Sequence, residues 1–212
     1  MRKSRWPALL VVGLAAMSSC GYGPPSVEQP AIDPAEAAAR AIEQYDTSGD
    51  GIVAGDELER APGLRAALSR LDTSGDGGVT ADEVEGRIRQ WQEMRTAVSL
   101  FAFTVTLDGS PLAGASVTFE PEQFLGGEVK SAGCATNDYG RCGATIPDDE
   151  RPDPTTPPGM HFGLYKVKIS KVVNGRETIP AKYNDETVLG QEVAADVPEI
   201  NKNRVVYALS SK

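Results

Sequence analysis

A twelve-residue segment occurs twice in the chain, as DTSGDGIVAGDE at 46–57 and as DTSGDGGVTADE at 72–83, 26 positions apart. Each copy spaces oxygen-bearing groups around a tight turn. In the first these are Asp46, Ser48, Asp50, the backbone carbonyl of Ile52 and Glu57; in the second, Asp72, Ser74, Asp76, the carbonyl of Gly78, Thr80 and Glu83. Gly51 and Gly77 hold the sixth position of each copy, where a sharp turn calls for positive φ. Carboxylates this close repel one another, so the pattern needs something positive at its centre.

Both segments resemble the EF-hand calcium loop, whose ligands stand at positions 1, 3, 5, 7, 9 and 12 with glycine at 6. Calcium is a hard cation that takes six to eight oxygens, and a bidentate glutamate at the last position supplies two. The resemblance implies two Ca2+ sites. Ser48 and Ser74 replace the commoner Asp or Asn with a neutral hydroxyl. Ala54 offers no side-chain oxygen at the ninth position while Thr80 does, so the first site is expected to be the weaker. Asp56 and Asp82 are read as solvated groups beside the last ligand. Residues 34–45 form a helix with Asp33 as its cap and Pro34 at its first position. Residues 62–71 form a second helix, and Val84, Ile88, Trp91 and Val98 suggest one long exit helix. Val53 and Val79, eighth in their loops, are expected to face each other. The competing reading is a pair of Asp/Gly turns that bind nothing. Dockerin modules also carry duplicated calcium loops, but without a full entering helix.

From about residue 100 the period changes to two. Phe103, Val105 and Leu107 share one face, Asp108-Gly109 turns the chain, and Val117 and Phe119 alternate again. Asn137-Asp138-Tyr139-Gly140 signals a further hairpin, Tyr165, Val167 and Ile169 share a face, and 204–210 reads as a closing strand. Short strands separated by turns indicate an antiparallel sandwich. The runs TLDGSPLAGASVTFEP, TNDYGRCGATIP, PGMHFGLYKVKIS and IPAKYND resemble the carboxypeptidase regulatory-like, transthyretin-like domain of bacterial lipoproteins, over roughly half of the chain. The resemblance implies a seven- or eight-stranded Greek-key β-sandwich that serves as an accessory or interaction module rather than a catalyst. The fold expected for the whole is multidomain α + β: a helical EF-hand pair over 34–99, then the sandwich over 100–212.

The N-terminal residues read as targeting. Arg2, Lys3 and Arg5 precede an apolar stretch from Ala8 to Met17, followed by Ser18-Ser19-Cys20-Gly21. This resembles the signal peptide and lipobox of bacterial lipoproteins, with cleavage after residue 19 and lipid on Cys20. Met17 departs from the preferred Leu, and a secreted protein cut nearby is the alternative. Cleavage there would remove three of the 21 basic residues and none of the 30 acidic ones, so lipid rather than charge would have to hold the protein at a membrane. Residues 20–33, rich in proline, read as a tether of up to roughly 40 Å.

Cys134 and Cys142 lie eight positions apart across a turn, and export would place them in an oxidising environment. A disulfide is the expectation and two buried free thiols the alternative. His161 reads as a rim histidine, because no nucleophile stands at a useful spacing. The acidic loop 148–158 reads as a solvated connection. Only 6% of the residues are aromatic, so a core of aliphatics is expected, and the net charge of −9 argues against a nucleic-acid partner. The expected function is that of an exported, lipid-anchored, calcium-binding envelope protein facing the periplasm or the surface, with no enzyme signal. Its candidate partners are an envelope protein or a glycan. A calcium-dependent adhesion or regulatory module is the alternative. A hydrolase is disfavoured, because both loops look fully ligated and catalysis needs an open position on the metal.

Overall fold

The computed structural model describes residues 29–94, 96, 98–151 and 157–212 of the chain. Its first half consists of two helix–loop–helix units. Helix α1, Pro34–Tyr45, begins where Asp33 stays extended and its carboxylate accepts the Glu36 N–H at 3.0 Å. Ala37, Ala41 and Tyr45, one turn apart, form its buried face. The first loop leads through strand β1 (Ile52–Ala54) into the short α2 (Asp56–Arg60). Only Ala61 separates α2 from α3 (Pro62–Leu71), which enters the second loop; β2 (Gly78–Thr80) and α4 (Ala81–Glu93) leave it. Strands β1 and β2 pair antiparallel with Val53 opposite Val79, both fully buried.

The exit helix is shorter than its spacing predicts. It stops at Glu93, and Val98 opens a strand, β3 (Val98–Ser99). Met94 turns extended. At this end the side-chain amide of Gln29 donates to the carbonyls of Trp91, at 3.3 Å, and Met94, satisfying acceptors that the ended helix leaves without a following turn. Gln92 in turn donates to the Ile32 carbonyl at 2.7 Å. Residues 29–33 therefore lie along α4, where the sequence predicts the end of an extended tether.

The second half contains β4 (Ala102–Leu107), β5 (Ser110–Pro111), β6 (Ser116–Pro121), β7 (Ala132–Ala135), β8 (Arg141–Gly143), β9 (Met160–His161) and β10 (Gly163–Ser170). There follow β11 (Val172–Val173), β12 (Arg176–Glu177), β13 (Gly190–Val193), helix α5 (Pro198–Asn201) and β14 (Val205–Leu209). One sheet runs β13-β10-β6-β7, antiparallel throughout; in the other, β4 pairs with β14, β5 and β8. Asp108 and Gly109 make a two-residue turn with φ of 49° and 81°, the positive values that match strand twist in a tight hairpin.

The sandwich is not wholly antiparallel, since β14 runs parallel to β4, from Val205 opposite Phe103 to Leu209 opposite Leu107. The chain arrives from β13 in the other sheet by way of α5, and this crossover delivers β14 in the same direction as β4. The turn at 137–140 makes the expected hairpin, with the Asn137 N–H on the Arg141 carbonyl at 2.9 Å and Gly133 bridged antiparallel to Thr145. Strand β7 pairs with one sheet and β8 with the other, so the Cys134–Cys142 disulfide, with Cα atoms 6.1 Å apart, also ties the two sheets together. The core is mostly aliphatic, as expected, and all five phenylalanines of the chain are buried within it. Phe103 stands 5.4 Å from Phe119 across the sheets and 5.4 Å from Tyr207, with Phe101 and Tyr165 extending the cluster. Each such pair contributes about 0.5–1.5 kcal/mol beyond the area it buries. Few aromatics suffice when they are gathered at one place.

The two halves share one continuous buried core. Helix α3 lies against β13 and β10, and α1 covers a 3-10 turn at Gln123–Leu125, where Phe124 meets Tyr45 edge-on at 6.4 Å. Glycine makes this approach feasible. A Cβ at Gly190 would sit 1.8 Å from the Pro62 carbonyl oxygen, and one at Gly63 would sit 2.7 Å from Glu122 Oε1.

Candidate metal centre

The two loops fold almost identically. Asp46 leaves α1 with its own N–H still bonded to the Ile42 carbonyl, which turns its side chain toward the loop. Asp46 Oδ1 accepts the Gly49 N–H at 2.6 Å and the Ser48 hydroxyl at 3.1 Å, while Oδ2 accepts the Gly51 N–H at 2.8 Å. Asp50 accepts the Ile52 N–H at 2.9 Å. Glu57 reaches back across the turn: Oε1 accepts the N–H groups of Thr47 and Ser48 at 2.8 and 2.9 Å, and Oε2 that of Ala54 at 3.3 Å. In the second loop Asp72 accepts from Gly75 and Gly77, Asp76 from Gly78, and Glu83 from Thr73, Ser74 and Thr80. Gly51 and Gly77 have φ of 87° and 85°, the left-handed conformation expected for the sixth position.

These bonds favour the ionised form of Asp46, Glu57 and Glu83. The Gly51 N–H keeps Asp46 below the ordinary carboxylate range, and the Ser48 N–H does the same for Glu57. At Glu83 burial works the other way, but the N–H groups of Thr80 and Ser74 and the Thr80 hydroxyl together lower it to about 2. Ionised carboxylates, a serine hydroxyl and a backbone carbonyl in each loop form the hard oxygen set that suits calcium. Among the described residues no three His, Cys, Asp or Glu side chains gather into a ready metal cluster. The N–H network, rather than mutual convergence, fixes each carboxylate. Asp56 and Asp82 occupy the first turns of α2 and α4, where a negative charge favours the helix.

The loops differ at the ninth position. Thr80 caps α4 with a capping box, its hydroxyl oxygen accepting the Glu83 N–H at 3.4 Å and its own N–H donating to Glu83 Oε2 at 2.9 Å. The hydroxyl also donates to Oε2 at 3.0 Å. Helix α2 begins at Gly55 without a side-chain cap.

Sequence reasoning missed the residues that fix the loops to the sandwich. Glu122, just after β6, is completely buried. It accepts the Tyr45 hydroxyl at 2.6 Å and the Gly63 N–H at 3.0 Å, with Lys166 Nζ 3.6 Å away. Burial first, then the neighbouring Glu122, pushes the Tyr45 hydroxyl far above its ordinary value, so it stays a donor. Glu192 in β13 is equally buried and lies 2.6 Å from the Arg87 guanidinium and 3.1 Å from Trp91 Nε1, with Arg70 also bonded to it. Arg87 spans onward to both oxygens of Asp196 at 2.8 Å. A buried carboxylate without such partners would be strongly destabilising. Neither glutamate stands out in the sequence: Glu122 continues the polar positions 118 and 120, and Glu192 lies in the run GQEV.

His161 is not at a rim. It is 1% exposed in β9, opposite Val98, and its Nδ1 accepts the Lys130 N–H at 3.3 Å. The apolar strand β3, which the sequence assigns to helix, covers it, and burial lowers its pKa. Glu150, from the acidic loop, lines the same cleft as His161, Glu128 and Lys130; residues 152–156 of that loop lie outside the described residues. Cys20 and the signal segment also lie outside them. No helix among the described residues is long and apolar enough to cross a membrane. No family model matches the chain, and no curated protein is significantly similar to it.

Proposed function

We propose that this is a calcium-binding, lipid-anchored envelope protein in which a pair of EF-hand loops holds two calcium ions and braces a transthyretin-like Greek-key sandwich that serves as an interaction module. The observation that carries the reading is the pair of loops itself: two copies with the same inward N–H network, coupled through Val53 and Val79. Asp46, Ser48, Asp50, the Ile52 carbonyl and Glu57 would hold one ion; Asp72, Ser74, Asp76, the Gly78 carbonyl, Thr80 and Glu83 the other. Calcium supplies positive charge at the centre of each loop. The chain's own residues supply ionised oxygens and a turn that glycine allows.

Outside the cytoplasm, loops of this type work with affinities of about 10⁻⁴–10⁻³ M, so they stay largely filled where calcium is near millimolar. The continuous core between the halves supports a structural role over a hinge. Lipid on Cys20 would anchor the protein, with an envelope protein or glycan as the partner class.

Isothermal titration of the mature chain without its lipid tests the reading. Two binding events are expected. Glu57→Gln and Glu83→Gln should each weaken one of them by more than the roughly 10–100-fold typical of a residue outside the ligand set. No heat at millimolar calcium would sink it.

A further inference from the structure

The residues that anchor the helical half fall beside the loops in an ordered way. Tyr45, bonded to Glu122, is the last residue of α1 and immediately precedes Asp46, the first candidate ligand of loop one. Arg70, bonded to Glu192, stands two residues before Asp72, the first candidate ligand of loop two. Arg87 and Trp91, also on Glu192, follow Glu83 by one and two turns of α4. Loop two is thus gripped from both sides by donors to a single carboxylate, and loop one from its entering side by a donor to the other.

We infer that each loop has its own positioning carboxylate in the sandwich, Glu122 for loop one and Glu192 for loop two, and that each sets the calcium affinity of its own loop. The inference rests on the calcium reading above. The physical link is short. A loop gains affinity when the direction of its flanking helix is already fixed, because less ordering remains to be done on binding. Tyr45 cannot shift without breaking a 2.6 Å bond to a fully buried carboxylate, and the α3–α4 angle cannot open without separating Arg70 from Arg87 at Glu192. By reciprocity, calcium in a loop strengthens that loop's bond to the sandwich. Helix α3 donates to both glutamates, through the Gly63 N–H at its start and Arg70 at its end. Of the two, however, the Tyr45 side chain reaches Glu122 alone and the Arg70 side chain Glu192 alone, so substitutions at these two side chains separate the couplings.

Two substitutions test this. Tyr45→Phe removes one hydroxyl and no charge. Arg70→Gln removes a positive charge, which by long-range electrostatics alone would tighten calcium at loop two; loss of positioning would weaken it. The two signs are opposite. Calcium is titrated into each full-length, lipid-free variant at physiological salt, and the amide resonances of Gly51 and Gly77 report the loops separately. Tyr45→Phe should weaken loop one by roughly fivefold and leave loop two within about a factor of 1.5; Arg70→Gln should do the reverse. Unchanged spectra outside the loops and the anchor check that both variants fold. Equal effects at both loops, no effect, or tighter binding at loop two in Arg70→Gln would overturn the inference and leave the calcium reading intact. A wild-type protein with no saturable shift at either glycine would overturn both.

Discussion

Loop one and loop two have nearly the same sequence and the same internal bonds, yet they are built into the molecule differently. Loop one leaves into α2, only five residues long and uncapped by a side chain; loop two leaves into the thirteen-residue α4, closed by the Thr80–Glu83 capping box. Loop one is tied to Glu122 by the Tyr45 side chain of its entering helix and, beyond α2, by the backbone N–H of Gly63. Loop two is tied from both sides, through Arg70 before it and Arg87 and Trp91 after it. A repeated motif therefore does not make a repeated site. Local chemistry sets the shape of the turn, and the elements on either side set how firmly it is held.

The most disruptive test removes both anchorages together. Gly190→Val places side-chain atoms where the Pro62 carbonyl already sits, so α3 must move away from β13 and draw Gly63 off Glu122 and Arg70 off Glu192. Overpacking of this kind costs about 3 kcal/mol. Chemical denaturation should show that loss, and calcium titration should show both loops weakened and closer to each other. A variant as stable as the parent would mean that the helical half is only loosely seated.

A milder change makes loop two resemble loop one. Thr80→Ala deletes the cap hydroxyl, including its 3.0 Å bond to Glu83, and costs about 1 kcal/mol as an N-cap loss. Calcium affinity at loop two should fall toward that of loop one. If it does not, the ninth-position hydroxyl matters to helix α4 alone.

The loops were legible in the sequence because their determinants are local. Aspartates four apart with a serine between them and a glycine at the turn act over a few residues, and the Asp33 cap and the Asp108-Gly109 hairpin act over fewer. What the sequence hid is non-local. Val98 continues a helical spacing, but the helix ends at Glu93, where Gln29 caps its last carbonyls from more than sixty residues away. The closing strand reads as antiparallel by default, and its parallel pairing follows from the crossover through α5. His161 looks exposed in a Pro/Gly-rich context until β3 covers it. Glu122 and Glu192 look like ordinary surface acids until a tyrosine, two arginines and a tryptophan from the other half of the chain reach them.

The smallest expected effect separates the anchors by acid. Asp196 belongs to the loop-two anchor alone. The hydrogen bonds from Arg87 hold its pKa below the ordinary 3.8, although partial burial opposes them. The unfolded chain therefore takes up this proton before the folded one does. The stability that Asp196 contributes is complete above 3.8 and drains away as pH falls through the lower folded value. With Asp196→Asn that contribution is absent at every pH. In chelator, wild type should be the more stable of the two at about pH 5, and the gap should narrow as the pH drops below 3.8. The residual bond between Arg87 and Glu192 remains in both proteins, so the gap stays modest. A gap that is constant with pH would show that Asp196 acts by packing rather than by charge, and would leave Glu192 as the sole electrostatic tie between loop two and the sandwich.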